Sequence, residues 1–425
     1  MSGPMESSNP SFTFVTTTAQ KNLLRSNSTQ EPQFPHFSPP RLSCPAHSRS
    51  LGSSPLSSPR HHHCPALPPD HELSDPQTTY HCAYSLLRRD AQILSIALSN
   101  GLVYTGYGSN VIRVWKLPEF TECAQIKTKA SRVEALEVSN HIIYAACGDG
   151  KIRMWRRTWD RLVLKHVRLG SIPKTVGYIR NYIAGRDKTM KHKGPITSIA
   201  INTVEDILYS ASMDKTLKVW RISDLRCIET FTAHHEPINC IMVGGDGVLY
   251  TASDDATVKV WRRNFCSHGR PHSLIFTLHA KYSPVKALTL SPDGGVLYGG
   301  CSDGYIHYWL KDWLTGQLQY GGSMQGHTHA VMCLASVADY VVSGSADSTS
   351  RVWFREDGQH TCLTVLVGHR GPIRCTTAYR GEDSADDNCT VCTGSLDGVL
   401  KVWRVTSTHK KNEKLCSSQN GGQHQ

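Results

Sequence analysis

No window of ~18 consecutive apolar residues, the length that a bilayer-spanning helix requires, occurs in the 425-residue sequence. The opening, MSGPMESSNPSFTF, has no basic stretch followed by an apolar core, and serine rather than glycine follows Met1. A membrane span, a secretory signal and an N-myristoyl anchor are therefore not expected, and a soluble chain is. A disulfide framework is not expected either. The 15 cysteines are odd in number and irregular in spacing, and nothing directs the chain to an oxidising compartment. Cys240, Cys301, Cys333 and Cys375 lie inside apolar segments, where a free thiol packs as a small hydrophobe. The CxxC at Cys389 and Cys392 falls on an expected strand, whose alternation sends residues three apart to opposite faces, against a zinc or redox pair. HHHC at 61–64 has no further spaced ligands and reads as a polar run, so no metal and no cofactor is expected.

Order is also absent from the ends. Residues 1–79 hold 13 of the 21 prolines, many serines and no sustained apolar pattern. Such a segment cannot bury enough surface to offset its ordering entropy, and it reads as a disordered tail. It offers phosphorylation candidates: Ser28, with Arg25 and Leu23 at the spacing that basophilic kinases read, and Ser38, Ser54 and Ser58, each before a proline. Residues 406–425 are polar and are expected to be flexible.

What remains, 80–405, is repetitive. Tryptophans at 115, 155, 220, 261, 309, 353 and 403 each close an apolar-x-apolar-Trp run, spaced by 40, 65, 41, 48, 44 and 50 residues. Most spacings sit near the roughly 40 to 45 residues of a four-stranded propeller blade. LYSASMDKTLKVW and LYTASDDATVKVW are near copies, each preceded by a short apolar strand (ITSIAI, INCIMV) and followed by another (CIETFTA, LIFTLHA). The fold class is all-β, a seven-bladed propeller. The polar stretch after Trp403 leaves the last blade one strand short, and YHCAYSLL at 80–87 is the expected donor, closing the ring and removing its open edges.

Six residues before the tryptophan stands Asp149, Asp214, Asp255, Asp303, Asp347 or Asp397, with Ser109 in the first repeat. Ten residues before it stands a hydroxyl in five repeats: Thr105, Ser210, Thr251, Ser343 and Thr393. His192, His234, His279, His327 and His369 precede the later repeats. These offsets imply a polar chain in each blade, in which aspartate accepts from histidine, histidine bonds the hydroxyl, and the hydroxyl accepts from the indole N–H. Complete sets are legible as His192, Ser210, Asp214 and Trp220; His234, Thr251, Asp255 and Trp261; His327, Ser343, Asp347 and Trp353; and His369, Thr393, Asp397 and Trp403. The first and second repeats lack the histidine and the fifth has Gly299 in place of the hydroxyl, so these blades are expected to lean on apolar packing. Asp, His and Ser also invite a nucleophilic triad. A triad appears once, in a cleft with an oxyanion site, whereas this set recurs and includes tryptophan, so an enzyme is not expected.

In LVYTGYGSNVIRVWK, LYSASMDKTLKVWRISDLRCIE, HTCLTVLVGHRGPIRC and GSLDGVLKVWRV the chain resembles the WD40-repeat family of seven-bladed propellers, and more narrowly the plant JINGUBANG-like group. One feature of the narrower likeness is the basic residue after tryptophan at Lys116, Arg156, Arg221, Arg262 and Arg404, where aspartate is usual. The resemblance implies a non-catalytic scaffold or adaptor for signalling or transcription-regulatory proteins, associated with pollen germination and with hormone or stress signalling; a monomer in cytoplasm and nucleus is expected. A ubiquitin-ligase substrate receptor is the alternative, weakened because no F-box-like helical segment is legible in the tail and no Trp-Asp-x-Arg ends the repeats.

Charge and loop tips mark two candidate surfaces. Residues 156–193 contain eleven Lys or Arg and two Asp, nearly the whole excess of a chain with 46 basic and 35 acidic residues. They include an insertion at about 170–191, with Arg180, Arg186, Lys188 and Lys191 among aromatics, suited to an acidic protein segment; nucleic acid or an anionic surface is the less favoured occupant because no RNA or DNA module accompanies the patch. The second surface is the propeller end where aspartates and histidines gather. Beside them Met213, Asp254 and Leu396, and Lys193, His235, Tyr282, His329 and Arg370, vary while their neighbours repeat, as a partner-binding face requires.

Overall fold

The computed structural model describes residues 78–88, 91–129, 132–160, 163–173, 191–264, 271–281, 283–356, 358–381 and 388–406. Residues 1–77 of the tail with its four serines, most of the basic insertion and residues 407–425 lie outside the described residues, while Thr79 and Thr406, expected in the tail and the flexible end, belong to strands. Alternating apolar and β-branched runs such as ILYSAS and TLKVWR form 28 strands, numbered β1 to β28 in chain order, and no helix occurs among the described residues. None can therefore cross a membrane as a helix there. The strands make seven four-stranded antiparallel sheets. Six are continuous: blade 1 at 93–127, blade 2 at 133–172, blade 3 at 196–232, blade 4 at 238–279, blade 5 at 285–324 and blade 6 at 331–367.

Blade 7 is composite. Strands β26 (Ile373–Arg380), β27 (Asn388–Ser395) and β28 (Val399–Thr406) are completed by β1 (Thr79–Leu87), in the order β1-β28-β27-β26. The register sets Tyr80 opposite Val405, His81 opposite Arg404 and Leu86 opposite Leu400. Lys401 Nζ donates to Ser85 Oγ at 3.1 Å, joining residues 316 positions apart. One apolar cluster fills each of the seven blade interfaces. The clusters include Ile93 and Ile96 with Cys375, Cys392 and Leu400 between blades 7 and 1, and Ala211, Val219 and Leu217 with Ile238 and Trp261 between blades 3 and 4. Seven sheets and seven packed interfaces make a closed ring.

Blade contact is close enough to restrict composition. A Cβ on Gly394 would lie 2.6 Å from Ile93 Cγ2, and one on Gly344 2.6 Å from Ile373 Cγ2. A β-branched residue opens the next blade at both places, so the neighbouring strand admits nothing larger than hydrogen. Cys389 and Cys392 pack in different clusters, toward blade 6 and toward blade 1 respectively. Burial pushes both thiols upward, Cys389 to about 12, so neither is a ready thiolate.

Candidate functional site

The end of the ring that carries the candidate face is assembled by backbone. In each blade the turn after the second strand donates an amide to the carbonyl just ahead of the innermost strand, at 2.8–3.2 Å: Gly108 to Gln92, Gly148 to Arg132, Met213 to Pro195, Asp254 to Pro237, Ser302 to Pro284, Ala346 to Ala330 and Leu396 to Pro372. Seven turns and seven loops therefore share one face. The turn itself is shaped by its aspartate. The following residue takes the left-handed conformation, at Lys215, Ala256 and Ser348 and at Gly150, Gly304 and Gly398, while the aspartate side chain bonds the amide two residues on, as Asp214 does with Thr216 at 3.0 Å.

Beneath this face lie the polar chains. Trp220 Nε1 donates to Ser210 Oγ at 2.9 Å, Ser210 meets His192 Nε2 at 2.8 Å, and His192 Nδ1 meets Asp214 at 3.2 Å. Blade 4 repeats the set through Trp261, Thr251, His234 and Asp255 at 3.0, 2.7 and 2.9 Å. Blade 6 does so through Trp353, Ser343, His327 and Asp347 at 2.9, 2.8 and 2.8 Å. In blade 7 Trp403, Thr393, His369 and Asp397 bond at 2.9, 2.8 and 3.0 Å. Burial lowers His192, His234 and His369 and outweighs the pull of their aspartates. Burial opposes ionisation of Asp214 and Asp255, but bonds from histidine and threonine more than offset it and hold both carboxyls below their usual range. A neutral imidazole donating from Nδ1 to a carboxylate, and accepting the hydroxyl proton at Nε2, satisfies both partners. The four hydroxyl residues, Ser210, Thr251, Ser343 and Thr393, are wholly buried and engaged on both sides, so none is placed to attack a substrate.

The chains contain more than the repeats announce. Thr216, Thr257 and Thr349 add hydroxyl donors to Asp214, Asp255 and Asp347 at 2.6, 2.6 and 2.7 Å. Ser212, Ser253, Ser345 and Ser395 each accept the amide of the turn aspartate at 3.1–3.2 Å. The written signal was the recurring S-x-D-x-T in SMDKT, SDDAT and SADST. Blade 2, expected to lean on apolar packing, also holds its turn aspartate by charge: Arg153 grips Asp149 through two parallel bonds of 2.9 and 2.7 Å, in the absence of a histidine partner for that aspartate among the described residues. In blade 1 Trp115 still donates to Thr105, at 2.9 Å. In blade 5 His279 is exposed and Gly299 lies under the Trp309 ring, 3.1 Å from where a Cβ would stand.

Around the axis each innermost strand bulges at its second residue, which brings Leu94, Glu134, Thr197, Asn239, Lys286, Met332 and Arg374 into one ring. Of the residues expected on the face, Lys193, His235, His329 and Arg370 are exposed, and Met213 and Leu396 are half-buried. Lys193, His235 and Arg370 are tied by their own amides to the aspartates below, at 2.7, 3.3 and 2.9 Å. His329 bonds Thr328 Oγ1 at 3.0 Å. Asp254 is not a free tip: Asn239 Nδ2 donates to it at 2.8 Å and Lys286 Nζ closes on the same oxygen. Tyr282 lies outside the described residues, as do Arg180, Arg186 and Lys188, while Lys191 is exposed. Strand β9 (Val163–Ile172) continues past the expected start of the insertion at 170, and His192 is already in its buried place, so of the expected 170–191 only 170–173 and 191 are described.

The WD domain, G-beta repeat model matches residues 185–221, 225–262, 272–309, 319–353 and 360–404, which fall on blades 3 to 7. Blades 1 and 2, outside those matches, have the same four-stranded order. An uncharacterized WD repeat-containing protein of Schizosaccharomyces pombe is 26% identical over 235 residues, covering 53% of this chain and 60% of its own length. The telomerase protein component 1 of Rattus norvegicus is 26% identical over 234 residues, 49% of this chain but 8% of that protein. A DENN domain and WD repeat-containing protein of Arabidopsis thaliana is 30% identical over 121 residues, 28% of this chain and 9% of that protein. The chain thus spans less than two thirds of each of these relatives.

Proposed function

We propose that the chain, whose blades 3 to 7 match the WD domain, G-beta repeat model, is a non-catalytic adaptor that holds signalling or transcription-regulatory proteins on its loop-bearing face. The observation that carries this reading is the division of labour there. Seven turns are pinned by backbone and four of them stand on complete buried polar chains, while the side chains immediately outside, Lys193, His235, His329 and Arg370, differ in type and reach solvent. A rigid base with unlike tips recognises a specific protein surface without ordering cost in its own backbone.

The likeness to the JINGUBANG-like group supports a plant setting for this adaptor, in pollen germination or in hormone and stress signalling, and the reading includes a monomeric chain shared between cytoplasm and nucleus. Phosphorylation of Ser28, Ser38, Ser54 or Ser58 would supply an acidic tail able to engage the basic loop. The test is quantitative affinity purification from plant tissue with the intact chain, a chain lacking 1–79, a chain lacking 174–190, and a Lys193→Glu/His235→Ala/Arg370→Glu variant. The face variant should lose its main partner at unchanged melting temperature. Full recovery with that variant would refute the face as the docking surface.

A further inference from the structure

The exposed apolar side chains of the ring are unevenly placed. Trp159, Val163, Val167 and Leu169, exposed by 60, 58, 53 and 41%, fall in a single hairpin formed by β8 (Ile152–Asp160) and β9. With ten residues β9 is the longest strand of the structure, and it is the outer strand of its sheet, in the order β6-β7-β8-β9, with β6 at Val133–Ser139 and β7 at Ile142–Cys147. Long apolar edges are what propellers and sandwiches ordinarily shorten, cover or break with proline, because their unpaired amides and carbonyls template another strand. Here the proline comes only after the strand, at Pro173.

The pairing shows what faces outward. Val163, Lys165 and Val167 stand opposite Asp160, Thr158 and Arg156 on one face of the hairpin, and Leu164, His166 and Arg168 stand opposite Trp159, Arg157 and Trp155 on the other. Leu164 and Trp155 belong to the core shared with blade 1, so the Val163–Val167 face is the one left in solvent. Lys165 reaches Asp160 at 2.5 Å, whereas Arg156 and Arg168 are exposed and meet no carboxylate among the described residues.

The geometry points to β9 as a docking edge for an extended acidic peptide of another protein, added to blade 2 as a fifth strand. On the solvent face a carboxylate beside Lys165 would stand between apolar side chains beside Val163 and Val167, and a second carboxylate on the other face would meet Arg168, the cross-strand pairs that stabilise a sheet. The charge selects the occupant. The 156–193 stretch is strongly basic, the tail to 79 is balanced at five basic and five acidic residues, and the end after 405 is basic with three against one, so neither end of this chain matches the edge. This rests on the adaptor reading but uses a surface distinct from the loop-bearing face.

Panning a random twelve-residue peptide library on the full chain tests it. Enriched peptides should carry Val, Ile or Leu two residues to either side of an Asp or Glu, slow hydrogen exchange across 163–172, and weaken at least tenfold on Val163→Lys/Val167→Lys while keeping their affinity for the Lys193→Glu/His235→Ala/Arg370→Glu variant. Enriched peptides without that pattern, equal binding to the β9 variant, or protection confined to the loop-bearing face would overturn it. Sedimentation showing that the chain self-associates through β9, with the same variant restoring monomer, would overturn the choice of occupant. So would a 20-nucleotide polyuridine RNA competing fully for the edge. Loss of peptide binding only on the face variant would sink this inference and leave the adaptor reading intact.

Discussion

Blades 4 and 5 are neighbours written on the same template, yet one closes its polar chain and the other does not. In blade 4 His234 is buried between Thr251 and Asp255, and the indole of Trp261 is anchored at 3.0 Å. In blade 5 Gly299 offers no hydroxyl, Trp309 settles over it, and His279 turns outward. A cleft of about 290 Å³, lined by Thr277, Leu278, His279, Lys281, Trp309, Leu318 and Tyr320, opens beside the indole. Both blades pack through the same apolar cluster, which includes Leu278, Val285 and Trp309. The polar chain is thus a reinforcement laid on a core that already holds the blade, and the histidine is drawn inside only where a hydroxyl waits for it.

That contrast can be broken from its apolar side first. Trp261→Ala and Trp309→Ala should each cost about 3–5 kcal/mol in denaturant unfolding, because both indoles fill an interface. Gly394→Val should be of similar severity through its clash with Ile93. The polar side separates the blades. His234→Ala strands a buried carboxylate and hydroxyl and should cost roughly 2–3 kcal/mol, whereas His279→Ala, at an exposed position, should stay within about 0.5 kcal/mol. Equal effects would remove the distinction.

Acid sharpens it further. The neutral forms of His192, His234 and His369 are favoured in the folded chain, so below about pH 6.5 the unfolded chain binds more protons. Stability from these histidines is complete above that pH and is lost as pH falls. Asp214 and Asp255, held low, add stability above about pH 4 that disappears on further acidification. Melting temperature should therefore fall from pH 7.5 to pH 5, with a shallower slope in His234→Gln than in the parent. Smaller than the loss of His234 is the effect of Gly299→Ser. Its Cβ would press on Trp309 and Val285 at 3.1 and 3.3 Å, so an added hydroxyl should not stabilise blade 5 and should cost about 1 kcal/mol.

Much of this was written in one dimension. The tryptophan spacing announced seven blades, and the offsets of His234, Thr251 and Asp255 from Trp261 announced their bonds, because a strand pair converts fixed spacing into fixed contact. Arg153 was not legible as the partner of Asp149, since it comes from within its own blade rather than from the loop before it. Nor was the capture of Asp254 by Lys286, or the axial ring containing Glu134 and Arg374, because those depend on how different blades meet. The apolar outer edge at β9 was hidden by the basic residues interleaved with Val163 and Val167.

The central claim is that buried hydroxyls anchor the indoles and leave the tips to meet partners. Proton exchange at the indole nitrogens, followed by NMR on the full chain with 15N-labelled tryptophan, tests it most directly. Trp115, Trp220, Trp261, Trp353 and Trp403, all bonded to hydroxyls, should exchange slowest, Trp309 faster, and the exposed Trp159 and Trp313 fastest. If Trp261 exchanges as rapidly as Trp309 or Trp159, the polar chains are not what holds the blades and the account is wrong.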